Sequence, residues 1–334
     1  MPPWDQVWDL LRLLLGPALA ASLILMLALR VLGGERLAPL AAALAVAAAV
    51  FAGNHFMPLF QWELQPGRPL TLADFRTALG WSLETKPTAT SGDSAGHELT
   101  ARVPARYWLP WLAGLAMLVE LIAGLPRMPS GPAWVARALV SVFAARLLTP
   151  LRFRNEMPPD DLEHLVSLQS PATPWLFALA ILLEWAILIA LSRKWQDGTA
   201  PGALALCFIA ASVVVLLHHS ASFMHVAILA GTALAGPALV AWKWPGGTGP
   251  ALAAGAIFLP GLLLTGLHDS SSKVPLRSFL LVGLAPLALA PLAFPFLARQ
   301  AGWKASLAGL VLPLIPAAVG VYLAFQQESL EFDS

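Results

Sequence analysis

Charge is what this chain has least of. Asp, Glu, Lys and Arg make up 12% of its 334 residues, against about 25% in an ordinary soluble domain. That scarcity excludes a soluble globular enzyme and a disordered chain. The net charge of +1 gives no polyanion-binding excess and so excludes a nucleic-acid binder. Cysteine is nearly absent as well. The single Cys207 rules out an intrachain disulfide framework and a cysteine-based metal site. Several catalytic signatures are missing too: HExxH, GxSxG, the Walker A loop, a Gly-rich dinucleotide fingerprint behind a strand, and the CxxCH of c-type haem attachment.

What fills the chain is hydrocarbon. Hydrophobic residues reach 58% and the mean hydropathy is +0.71, which specifies a polytopic membrane protein. A span needs about 20 mostly apolar residues to cross about 30 Å of hydrocarbon. Ten segments qualify, roughly 13–32, 37–57, 107–125, 132–149, 174–192, 200–218, 222–242, 250–267, 277–298 and 304–325. The expected fold is therefore all-α, a transmembrane helical bundle of about ten spans forming one integral membrane domain over 1–334. The first apolar run continues past the small-residue Ala18-Leu19-Ala20 site, so it reads as an uncleaved span. Trp108, Trp111, Trp134, Trp175, Trp195, Trp242, Trp244 and Trp303 stand near span ends, where an amphipathic indole belongs. Pro286, Pro291 and Pro295 predict a kink or break in the ninth span, and Pro313 and Pro316 predict one in the tenth.

Two loops are long. In 58–106, Thr71-Leu72-Ala73-Asp74 reads as a capping box. Leu72, Phe75, Leu79 and Leu83 then share one face, predicting a short helix on the membrane surface. In the loop at 150–173, Pro159-Asp160-Asp161-Leu162-Glu163 reads as an acidic helix start. The short loops after odd-numbered spans carry Arg30, Arg36, Arg127, Arg193, Lys194, Lys243, Arg299 and Lys304, opposed by Glu35 and Asp197. By the positive-inside rule these face the cytoplasm, which puts both termini outside a cytoplasmic membrane.

One stretch repeats. Pro110-Trp111-Leu112 through Glu120 aligns without a gap on Pro174-Trp175-Leu176 through Glu184, 64 residues on. The spans that follow align after a short insertion, with Arg137 opposite Cys207. This predicts a duplicated helical hairpin, 107–149 and 174–218, in parallel orientation.

Few ionisable residues remain inside the spans. Glu120 and Arg137 each lie about five residues from the same membrane face, or about 7–8 Å deep at 1.5 Å per residue. They are placed to form an ion pair within the first hairpin. Glu184 has no such partner, because Cys207 stands where the Arg would be. An intramembrane carboxyl of that kind either hydrogen-bonds as the neutral acid or serves a proton or cation path. Glu184, Glu120 and Arg137 are thus the candidate substrate- or proton-binding residues. A second candidate set is His218, His219, His225 and His268, at the outer ends of spans six to eight, with His55 and Asp269 nearby in depth. Imidazole is a common ligand of zinc, copper and haem iron, so this set leaves room for an outer-face metal or one peripheral haem. The sequence requires no cofactor.

Three functions fit. The first is a transporter or permease for a small solute, proton-coupled through Glu184. The second is an integral membrane subunit of a larger, redox or other, complex with partner membrane subunits. The third is a membrane-embedded enzyme with a His-bound metal at the outer face. All three share the lipid bilayer as partner.

Overall fold

The computed structural model describes residues 14–56, 63–65, 68–69, 108–125, 128–149, 172–195, 197–218, 220–269, 274–293 and 303–332. They form an all-α bundle. In chain order the helices are α1 (Gly16–Gly33), α2 (Ala38–Phe56), α3 (Leu109–Ala123), α4 (Ser130–Leu148), α5 (Thr173–Lys194), α6 (Thr199–Leu217), α7 (Ala221–Lys243), α8 (Gly249–Asp269), α9 (Leu276–Gly283), α10 (Ala290–Ala293) and α11 (Trp303–Phe332). A minimal antiparallel ladder, Glu63–Gln65 with Arg68–Pro69, is the one departure from helix among the described residues. The expected surface helix at 71–83 and the acidic helix start at 159–163 lie outside the described residues.

Seven helices are long and apolar enough to cross a membrane, and the bent pair Leu276–Gly283 with Ala285–Ala293 makes up to eight. The apolar stretches of α2 and α3 are shorter. Most of the helices start and stop within a few residues of an apolar segment's ends, because the backbone must satisfy its own hydrogen bonds wherever water is absent; α9 stops short at Gly283 and α11 runs on to Phe332. Pro sits in the first turn of α1, α3 and α5, where its missing N–H costs nothing.

The expected kink or break is present in the ninth segment, and in the tenth there is no break. The ninth apolar segment breaks after Gly283, passes through a 3₁₀ turn at Ala285–Leu289 and changes direction by 43°. The tenth is not broken: α11 runs as one helix through Pro313 and Pro316. Two prolines three residues apart disturb overlapping turns of one helix, which packing against neighbours can hold together.

The centre of the bundle is α8, whose apolar stretch is 94% buried, against 22% for α1 and 28% for α11. A helix that is apolar all round belongs inside, and small residues let its neighbours close on it. A side chain on Gly255 would run into Leu204 of α6. A Cβ on Gly261 would stand 2.6 Å from Leu109 Cδ2 of α3 and 2.8 Å from Leu148 Cδ1 of α4. Consequently α8 packs on α3, α5 and α6 together. The helices α3 and α4 pack directly on each other, whereas α5 and α6 barely touch, with α8 against both.

The basic loops meet at one end. Arg30, closing α1, donates to the carbonyl of Trp244 at 2.8 Å and to that of Pro245, just beyond α7. Lys194, closing α5, donates to Leu292 O at 2.6 Å. Asp197 accepts from the Ser306 hydroxyl at 2.9 Å, joining the α5–α6 turn to the start of α11.

Substituting Gly261 by Val should lower stability by about 1–3 kcal/mol, the usual cost of overpacking a filled core. The check is the thermal unfolding midpoint of purified protein in detergent, where an unchanged midpoint would contradict the central position of α8.

Candidate functional site

Glu120 lies on the buried side of α3, one turn above its end at Gly124. Arg137 lies on α4, two turns in from its start at Ser130. The ion pair expected from their matched depth is present. Arg137 Nε donates to Glu120 Oε1 at 2.6 Å, and Nη2 donates to Oε2 at 3.0 Å. Such a two-point guanidinium–carboxylate contact fixes orientation as well as charge. A third donor comes from the next helix: Trp185 of α5 gives its indole Nε1–H to Glu120 Oε1 at 2.8 Å. The Trp134 ring lies with its centroid 4.6 Å from Arg137 Cζ, within cation–π range. Arg137 is 1% exposed and Trp185 fully buried, so both charges are spent inside the protein.

Glu184 precedes Trp185 in the chain, and its surroundings are the opposite. It is fully buried, and neither carboxyl oxygen has a hydrogen-bond partner. Among the described residues no other buried carboxyl lacks one. The titratable group within its electrostatic reach is Cys207 of α6, itself buried. Glu120 meets Arg137, the residue placed on its neighbouring helix at matched depth, whereas Glu184 meets no donor. One carboxyl is held by three donors and the other by none.

Sequence reasoning missed Trp185. Its position in mid-span carries no interface signal, although a buried indole N–H always needs an acceptor. The bond it makes crosses from one hairpin to the other, a relation that adjacency along the chain does not contain.

The histidines divide. His218 caps α6, is fully buried and approaches Leu267 O of α8 with Nε2 at 3.3 Å. A carbonyl only accepts, so Nε2 carries the proton and is removed from any ligand set. The His218 ring stands edge-on to Phe279 of α9, centroids 5.0 Å apart. His218 thus ties the loop-side ends of α6, α8 and α9 together. His225 is partly buried on the first turn of α7. His219 and the side chains of His55, His268 and Asp269 lie outside the described residues. Among the described residues no group of three or more His, Cys, Asp or Glu is placed to hold a metal.

A cavity of about 560 Å3 lies apart from these groups, between α2 and α3, with α7 and α8 behind it. Glu184 does not line it.

No protein-family model, curated protein or solved structure matches the chain.

Removing one partner of a buried ion pair strands the other, at about 3–5 kcal/mol. Arg137→Ala should accordingly cost about 3 kcal/mol or more, and Trp185→Phe about 1.5–3 kcal/mol, the net value of one hydrogen bond to a charged group. Denaturant unfolding in mixed micelles checks both. Equal, small losses would show that the cluster is not holding α3, α4 and α5 together.

Proposed function

We propose that the chain is a multi-pass transporter for a small solute, coupled to protons through Glu184. The observation that carries the reading is the contrast between two buried glutamates, one satisfied by Arg137 and Trp185 and the other with no partner. A structural role explains Glu120 fully. It leaves Glu184 unexplained, since an unpaired ionised carboxyl at that depth costs several kcal/mol and a Gln or Leu there would cost far less. A carboxyl that must cycle between a neutral, buried form and a hydrated, ionised one accounts for the cost. The break after Gly283 supports the same reading, because broken spans put helix ends and unpaired carbonyls at membrane depth, where transporters bind solutes.

The architecture proposed with it has ten crossings: the seven long helices, the bent pair as one, and the shorter α2 and α3. The hairpins α3–α4 and α5–α6 are a parallel duplication in which α8 has entered the second copy and parted its helices. The ungapped match of Pro110 through Glu120 with Pro174 through Glu184 supports that descent. The end where Arg30, Lys194 and Lys243 gather is the cytoplasmic one, with both termini outside the cytoplasmic membrane. The outer-face metal reading has less behind it, since among the described residues no group of three or more potential ligands is placed to hold a metal.

The test is solute-dependent proton movement into vesicles loaded with a pH-sensitive dye, screened over amino acids, sugars, organic anions and organic cations. One class should drive proton flux in the native protein. Glu184→Gln should reduce it to the level of empty vesicles while leaving the protein monodisperse. Native flux in that variant, or no response to any class from folded protein, would overturn the reading.

A further inference from the structure

The cavity beside α2 and α3 is chemically unlike Glu184's surroundings. Its walls are Val50 and Phe51 of α2 and Trp111 and Leu118 of α3, and its far end is closed by Phe208 and Phe258. Those two rings pack against each other with centroids 6.1 Å apart. Among the described residues that line it, none is charged, and the Trp111 indole N–H is the one polar side-chain group. The cavity exists because α2 and α3 make little contact with each other while each packs firmly on the helices behind, α2 on α7 and α3 on α8.

Its mouth is lateral. Phe51, Trp111 and Leu118 along the rims are 62%, 57% and 51% exposed, and in a membrane-spanning bundle that exposure is to hydrocarbon. The lining comes from the last turns of α2 and the first turns of α3, so the cleft lies in the half of the membrane next to residues 57–107. Water has no place in it, since a bound water needs two to four polar partners. An empty apolar void is also unfavourable, because its lining atoms forfeit their dispersion contacts. About 560 Å3 falls within the ~300–1,000 Å3 of sites that hold small molecules.

We infer that this cleft is a binding site for one acyl chain of a bilayer lipid, entered sideways between α2 and α3. The headgroup stays at the level of Trp111, whose indole belongs at the interface, and the chain runs inward to the Phe208–Phe258 pair. The site excludes Glu184, so this inference and the proton-coupled reading fail separately.

Gly114 supplies a clean probe. It lines the cleft, and a side chain begun there meets nothing within 4 Å, as is also true of Gly131 at the distant start of α4. A side chain at Gly114 has room to begin, so Gly114→Phe is the variant chosen to occupy the cleft, and Gly131→Phe is its control. Protein is reconstituted into phosphatidylcholine vesicles containing a diazirine-bearing phosphatidylcholine, irradiated, and its adducts mapped by peptide mass spectrometry. The expected result is adducts concentrated on cleft residues of α2, α3 and α7. Their yield should fall roughly tenfold in Gly114→Phe, the effect of losing about two buried methylenes from a chain, and should hold in Gly131→Phe. Adducts spread evenly over the outer faces of the bundle would overturn the inference. So would an unchanged yield in Gly114→Phe. Unlabelled cleft residues in the native protein would overturn it too, and would assign the cleft to the chain's own 57–107 segment or to a second copy.

Discussion

A carboxylate inside hydrocarbon must be paired, hydrated or neutral, and the bundle answers that demand in two ways. At Glu120 it spends an arginine and an indole. The bond from Trp185 does more than satisfy an oxygen, because it carries the ion pair of α3 and α4 onto α5. Three helices are thereby fixed in register by one polar cluster in an otherwise apolar bundle. At Glu184, one residue away in the chain, nothing is spent. The same helix thus presents a donor to one carboxyl and an unpartnered carboxyl of its own, and the functional proposal rests on that asymmetry.

The two sites differ first in sequence, since α6 has Cys207 where α4 has Arg137, and packing adds to the difference. In the first hairpin α3 and α4 lie side by side, close enough for a guanidinium to reach across. In the second, α8 packs against both α5 and α6, made thin enough by Gly255 and its neighbouring alanines to do so. The helix that forms the core of the bundle also keeps α5 and α6 apart. The acyl-chain cleft has a related origin, since α3 is drawn onto α8 and α2 onto α7, leaving a gap between neighbours in sequence.

The helices themselves were legible in the sequence, because apolar length and terminal tryptophans follow directly from membrane thickness and interface chemistry. Glu120 and Arg137 were legible as a pair because depth can be counted at a fixed rise per residue. Trp185, the insertion of α8 and the cleft were not, since each depends on which non-adjacent helices touch. Pro316 and Pro286 show the limit for local structure: the same residue leaves α11 continuous and accompanies a 43° turn in the ninth segment. A glycine beside the proline does not decide it either, since α7 runs unbroken through Gly236 and Pro237. His218, singled out for its imidazole, also holds α6 against α8 through its Nε2 contact with Leu267 O, a role that its position in the sequence does not announce.

The central claim is that Glu184 rests as a neutral carboxylic acid and Glu120 as a paired carboxylate. Infrared difference spectroscopy of the reconstituted protein separates the two forms, since a protonated carboxyl has a C=O stretch that a carboxylate lacks. The account predicts a protonated-carboxyl band at neutral pH that disappears in Glu184→Gln and persists in Glu120→Gln. A band lost with Glu120 rather than Glu184, or no such band in the native protein, would contradict it.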